Sequence, residues 1–328
     1  MAENFFLTAL LFLFSLAVYP YLVFSAQAGP EEIIIGYPSR SMTELPNYLA
    51  IRKGFFREER LEPKFVQARS NILVAALASE SMDYVTSMTT SIGGILGGVP
   101  AKIVMGITRN NPDFLMVKSD IRSIQELKGK KLAVSGFGGA SHQRLLMILR
   151  KAGLDPNNDV NILSVGEARL RLEQLRLGAI DATVLTAPHN FVAERVGFRS
   201  LGSSKDILAF PAVGIATLER KLKEKPEQVR RAIRSVLKGM KYLKEHREEA
   251  VTMAMEWLSL DRDLAERSYD VMLPNYSIDG AIDPAALRAS IDLIGQRRGG
   301  GVSRKNFSVT DIADFSLLEE VRRGPDQK

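Results

Sequence analysis

The chain carries one order of elements twice. Apolar Ile33-Ile34-Ile35-Gly36 leads into a polar stretch, 37–47, then a helical segment, then Leu61-Glu62-Pro63-Lys64-Phe65-Val66. Roughly a hundred residues on, Lys131-Leu132-Ala133-Val134 leads into polar 135–141, a helical segment, and Val160-Asn161-Ile162-Leu163. Leu77 and Asp83 recur, at one constant offset, as Leu175 and Asp181. A strand–loop–helix–strand unit built twice predicts two similar α/β lobes. Open α/β sheets hold ligands beyond the carboxyl ends of their strands, so two such edges facing each other make a cleft. This shape suits binding more directly than chemistry.

With 328 residues, 45% of them apolar, the chain has the length for two lobes and the apolar content for packed cores. It contains no cysteine, which excludes disulfides, thiolate metal sites and a cysteine nucleophile. The formal net charge of +6 indicates a basic, solvated surface. No recognition motif accompanies it, so no nucleic-acid partner is expected. Residues 5–24 are almost wholly apolar, and Ala26-Gln27-Ala28 is a small-x-small cleavage signature. Together they predict a secretory signal over 1–28 and a mature chain from Gly29. Glu3, the lack of Lys or Arg before the run, and the run's length leave an uncleaved membrane anchor as the alternative. Either places the protein in the periplasm or another extracytoplasmic space.

Between 33 and 104, apolar runs alternate with helical stretches, which predicts a mainly parallel sheet. Helices are expected over 49–56, closed by Gly54, and over 71–79; 89–98 is Gly-rich and compact. Phe114-Leu115-Met116-Val117 forms a strand leading towards the second lobe, and Ala212-Val213-Gly214-Ile215-Ala216-Thr217 a strand leading back. The helix over 168–177 is expected to bury Leu170, Leu172, Leu175 and Leu177, with Arg169, Arg171, Glu173 and Arg176 in water. Beyond 217 the pattern is all helical: Val229, Ile233, Val236, Leu237, Met240 and Leu243 keep helical spacing behind Pro226. Asp283-Pro284 opens another helix, 297–305 is a Gly- and Arg-rich loop, and 310–321 is a last helix before a frayed tail. The organisation is a signal over 1–28, a first lobe built from 29–115 and a mostly helical 213–328, and a second lobe over 116–212.

Candidate site residues cluster where strands should end. Gly136, Phe137, Gly138, Gly139, Ala140 and Ser141 lie between a strand and a helix, where free backbone N–H groups and the helix dipole can receive an anion. With Ser141 where a third glycine should stand, they fail as a dinucleotide fingerprint. The counterpart in the first repeat is Ser39, Arg40, Ser41 and Met42. Ser87, Met88, Thr89 and Thr90 follow another strand, and Thr186, Pro188 and His189 are their second-lobe equivalents. Arg40, Arg69 and Arg109 are candidate forks for a carboxylate, sulfonate or phosphate. His142 and His189 fall in second-lobe loops expected to face the cleft, but no metal-binding spacing accompanies them, so no metal is assigned. Asp83 and Asp181, at matching places before a strand, are expected to cap turns. No catalytic triad or nucleophile elbow is present.

Leu49-Ala50-x-x-x-Gly54-Phe55-Phe56, Leu127-Lys128-Gly129-Lys130-Lys131-Leu132-Ala133-Val134-Ser135, Ala152-Gly153-Leu154-Asp155 and Leu177-Gly178-Ala179-Ile180-Asp181-Ala182 resemble the type II periplasmic solute-binding proteins of ABC importers. Within them the chain looks most like the group that binds nitrate, sulfonates, taurine and thiamine pyrimidine precursors. The resemblance runs from about 33 to 318. It implies an α/β fold of two lobes hinged by two crossing strands, no cofactor, no catalysis, a monomer, and a small anionic or heteroaromatic solute handed to a membrane permease. It maps ligand contacts onto 39–42, 87–90 and 136–141. Enzymes of pyrimidine-precursor or menaquinone type share the fold, and a ligand-sensing domain is a third alternative.

Overall fold

The computed structural model describes residues 29–203, 211–295 and 307–324. The expected export segment 1–28, the loop 297–305 and the end of the tail lie outside these residues.

Ten strands are described. β1 (Glu31–Tyr37), β2 (Leu61–Gln67), β3 (Tyr84–Ser87) and β4 (Ala101–Gly106) come first. β5 (Phe114–Val117), β6 (Lys131–Val134), β7 (Asn161–Ser164), β8 (Ala182–Leu185) and β9 (Arg199–Ser203) follow, and β10 (Val213–Leu218) comes last. They form two five-stranded sheets, ordered β2-β1-β3-β10-β4 and β7-β6-β8-β5-β9. The two orders are one order, strand for strand. In each sheet four strands are parallel and the fourth in line runs against its neighbours. That strand is β10 in the first sheet and β5 in the second. The mainly parallel sheets are thus mixed, because the strand that returns from one sheet enters the other head to tail. Phe114 and Leu115 pair with Leu185 and Val184, so the chain changes sheet before Phe114 rather than after 115.

The repeated aspartates do the same work twice, and it is not turn capping. Asp83 Oδ2 accepts the N–H of Ile34 at 2.7 Å, and Asp181 Oδ2 accepts the N–H of Lys131 at 2.9 Å. Each therefore ties its own strand's entry to the strand beside it. Each also receives a lysine lying just past the antiparallel strand: Lys221 on Asp83, and Lys118 on Asp181 at 2.6 Å. The repeat accordingly extends to β10 and β5, where the sequence shows no likeness.

The first sheet is covered by the late helices. In the helix Pro226–Glu245, Val229, Ile233, Val236, Met240 and Leu243 are buried at helical intervals in one cluster with Ile33 and Ile35 of β1. Each buried aliphatic of this size contributes about 1.5–3 kcal/mol. Gly239 lets this helix touch the helix Leu45–Arg52, since a Cβ there would lie 2.6 Å from Pro46 O and 2.7 Å from Ala50 Cβ. Gly239→Ala is therefore expected to lower stability by about 1–3 kcal/mol in urea unfolding, against alanine's better helix propensity. A neutral or stabilising result would show that the two helices can part freely.

Three element boundaries differ from expectation. The first helix begins at Leu45 and ends at Arg52, and Gly54, at φ +80°, opens a separate turn, Phe55–Glu58. The compact 89–98 stretch is the helix Met88–Leu96. The last helix divides into Val309–Ile312 and Ser316–Arg323. Ser308 and Asp311 form a capping box on the first piece, and Ala313 is drawn into a bridge with Ile103.

Candidate functional site

The carboxyl ends of β1, β3, β6 and β8 face one another across a cavity of about 70 Å³. That is room for about five water molecules, the size of a compact head group. Hydroxyls dominate its walls: Ser39, Ser41, Thr43, Ser70 and Ser87 from the first-sheet side, and Ser135, Ser141 and Thr186 from the second. Several interlock, with Ser41 and Thr43 2.8 Å apart and Ser135 and Ser141 2.9 Å apart. The lobes also join directly at this level. Ser39 Oγ accepts the N–H of Ala168 at 3.1 Å, and Met42 N–H donates to Ala187 O at 3.2 Å.

Two charged side chains line the cavity among the described residues, Arg171 and Asp113. Neither belongs to the expected set. Arg171 sits in the helix Ala168–Arg176, whose buried face is Ala168, Arg171, Leu172 and Leu175; Leu170 and Leu177 are exposed. The expectation had this helix turned. Counting three and four from Ala168 reaches Arg171 and Leu172, so the 3.6-residue period held the signal and the leucines alone obscured it. Arg171 Nε donates to Gly166 O at 3.0 Å, and Nη1 donates to Thr183 Oγ1 at 3.1 Å and to Val184 O. Its Nη2 has no hydrogen-bond partner among the described residues. Burial lowers the guanidinium to about 10, which leaves it charged at neutral pH.

Asp113 lies in the segment joining β4 to β5. Its Oδ2 accepts Arg144 Nε at 3.0 Å, and its Oδ1 accepts Asn111 Nδ2 at 3.3 Å. Arg144 is fully buried and Asp113 is 3% exposed. Burial pushes the Asp113 carboxyl up, while the Arg144 charge pulls it down.

Of the expected residues, Ser39, Ser41, Ser87, Ala140, Ser141 and Thr186 line the cavity. Met42 and Met88 are packed into cores, Thr89 is fully buried, and Thr90 bonds Ser87 at 2.8 Å. Gly136 and Gly139 are where the lobes touch, since a Cβ on Gly139 would lie 2.9 Å from Ser70 Oγ; Gly138 takes the left-handed conformation. Phe137 and His142 face an outer groove with Leu146 and Arg150, not the cleft, and His142 Nδ1 accepts Gly138 N–H at 3.0 Å. Pro188 is buried and precedes the helix His189–Arg195. His189 Nδ1 is sealed off without a partner, and burial, with Arg171 and Arg169 nearby, lowers the imidazole to about 4. The three candidate arginines are outside the cavity: Arg40 is exposed beside Tyr37, Arg69 is exposed, and Arg109 pairs with Asp279 at 3.4 Å.

Beside the cavity, one residue past Thr43, Glu44 is completely buried with no cation on it. Thr86 Oγ1 donates to its Oε1 at 2.6 Å and Asn47 Nδ2 to its Oε2 at 2.9 Å. Burial raises this carboxyl to about 7.

A pair of like-ordered α/β sheets closed over a polar cavity is the periplasmic-binding-protein fold. The NMT1/THI5-like family matches residues 42–250, and the chain belongs to that family. It is 26% identical over 243 residues to a riboflavin-binding protein, RibY, of Chloroflexus aurantiacus, covering 68% of this chain and 67% of that one. Among solved structures it resembles the alkanesulfonate-binding protein SsuA of Xanthomonas axonopodis pv. citri bound to MOPS. The TM-score is 0.71 at 18% identity, over 90% of this chain and 98% of that one. The periplasmic nitrate-binding protein NrtA of Synechocystis PCC 6803 gives a TM-score of 0.72 at 13% identity, over 92% and 91%.

Proposed function

We propose that the protein is the extracytoplasmic solute-binding component of an ABC importer, and that it closes on the anionic head of a small solute and delivers it to a membrane permease. The observation that carries this reading is the free Nη2 of Arg171, presented by a guanidinium otherwise fixed at three points, inside a ring of hydroxyls. A planar fork so held is preorganised for an oxyanion. Ser39, Ser41, Ser87, Ser141 and Thr186 supply neutral donors around it. No aromatic ring lines the cavity among the described residues, so a small anion fits better than a heteroaromatic solute that needs stacking. Binding rather than catalysis is also favoured by Asp113, whose two oxygens are occupied by Asn111 and Arg144 and are poorly placed to take a proton. The fold shared with sulfonate- and nitrate-binding proteins supports the same class.

Calorimetric titration of residues 29–328 with sulfonates, nitrate, aromatic carboxylates and pyrimidines tests this. Arg171→Gln is expected to weaken an anionic hit by about 2–5 kcal/mol, the loss of one partner from a buried charged contact. Arg109→Ala, on the exposed pair, should leave it unchanged. Equal affinity in wild type and Arg171→Gln would refute the assignment, and conversion of the hit to product would make the protein an enzyme.

A further inference from the structure

The charges around the cavity do more than attract an anion. Arg171, Asp113 and Arg144 are 4%, 3% and 0% exposed, so bulk water screens none of them. Two guanidinium charges against one carboxylate leave a single net positive charge. Asp113 is also in the wall itself, where a carboxylate repels any anion that enters. An asparagine would fill the same space and could still accept from Arg144. The carboxylate therefore sets how much negative charge the cavity will take.

We infer that Asp113, held by Arg144, is a charge filter that makes the site select monoanionic head groups over dianionic ones of the same shape. A monoanion neutralises the cavity. A dianion leaves one uncompensated negative charge buried beside Asp113, which a low-dielectric site penalises heavily. Any charge on Glu44 is also negative and adds to the exclusion. This is specificity by repulsion, distinct from the attraction Arg171 supplies to every anion. The inference rests on the reading of the cavity as an anion site.

Sulfamate, methanesulfonate and sulfate are tetrahedral and nearly equal in size, but the first two carry one charge and the third two. Titrated against residues 29–328 at constant ionic strength and pH 7, both monoanions are expected to bind at least about tenfold more tightly than sulfate. Asp113→Asn raises the net charge of the site by one and is expected to move the ratio towards sulfate by about tenfold. Asp113→Asn combined with Arg144→Gln returns the net charge to its original value and should restore the wild-type order. A merely structural Asp113 would instead weaken all three anions alike. If wild type binds sulfate as well as sulfamate, the filter is wrong while the anion site stands. If no oxyanion binds, both the anion site and the filter fall. The wild-type comparison decides the matter even if a variant does not fold.

Discussion

Arg144→Met should destabilise the protein by about 3–5 kcal/mol, the usual result of stranding one member of a buried ion pair. Methionine fills much of the space of the buried Arg144 but leaves Asp113, 3% exposed, with Asn111 as its remaining hydrogen-bond donor of those described above. The loss has a diagnostic pH dependence. Asp113 is already pushed up by burial, and without Arg144 the charge of Arg171 and the Asn111 amide are left to oppose that push. Its protonation then relieves the unpaired charge, so the deficit should be large at neutral pH and shrink in acid. Adding Asp113→Asn should recover most of the stability, because the charge left behind is then gone. Arg195→Met is a useful contrast. Its pairs with Asp261 and Asp263 are exposed, and water screens such pairs until they contribute little. Urea unfolding of the three variants and the wild type makes the comparison. A cost below about 1 kcal/mol for Arg144→Met would mean that water reaches Asp113 and that the network is not sealed.

The second large effect is hidden in the wild type. Glu44 ionises near 4.5 when unfolded and at about 7 when folded. Its raised pKa means that the folded state holds the proton more tightly, so stability from this group is greatest below pH 4.5 and falls as pH rises to 7. The fall amounts to about 3 kcal/mol. His189 does the reverse. It protonates near 6.5 when unfolded but at about 4 when folded, so its contribution is complete above pH 6.5 and is lost as pH falls towards 4. Between roughly pH 4.5 and 6.5 folding moves a proton from histidine to glutamate with no net uptake, and stability should be nearly flat. Glu44→Gln removes one slope and exposes the other: stability should then rise with pH across this window. The new amide can be accommodated, since Asn47 Oδ1 has no partner and a flipped Asn47 side chain would accept from it. His189→Gln should give the opposite slope, falling with pH. Thermal melts from pH 4 to 8 read all three, and two variants with parallel profiles would dispose of the idea.

Much of this architecture was legible in the chain, for reasons the structure makes plain. Strands such as Val213–Leu218, buried along their whole length, are written as short, mostly apolar runs. The matched Asp83 and Asp181 survive in both repeats because each must present a carboxylate to a neighbouring strand's N–H. The hydroxyl side of the site was visible too, since loops at strand ends are where serine and threonine cap helices. Its charges were not. Arg171 looks like one more cation in a charged helix, and burial becomes evident only when its phase is set by Ala168 rather than by the leucines. Asp113 and Arg144 are 31 residues apart, and nothing local marks them as partners. Conspicuous arginines at strand ends proved to be surface residues, because a guanidinium needs a deep, satisfied bed to stay indoors, and three loop positions offer none.

The antiparallel strands β5 and β10 have a mechanical consequence. Each begins opposite the carboxyl end of a parallel neighbour, with Phe114 beside Leu185 and Val213 beside Ser87, so both crossings between the lobes pass the cavity floor. Two anchor points define a pivot line, and here that line runs beside the cavity. Asp113 and Val213, which line the cavity beside it, have almost no lever arm. Contacts further from the crossings, such as Ser39 with Ala168, which follows the edge strand β7, have longer ones. If the two sheets part about this line, those outer contacts must separate furthest, while the cavity wall at Asp113 and Val213 hardly moves.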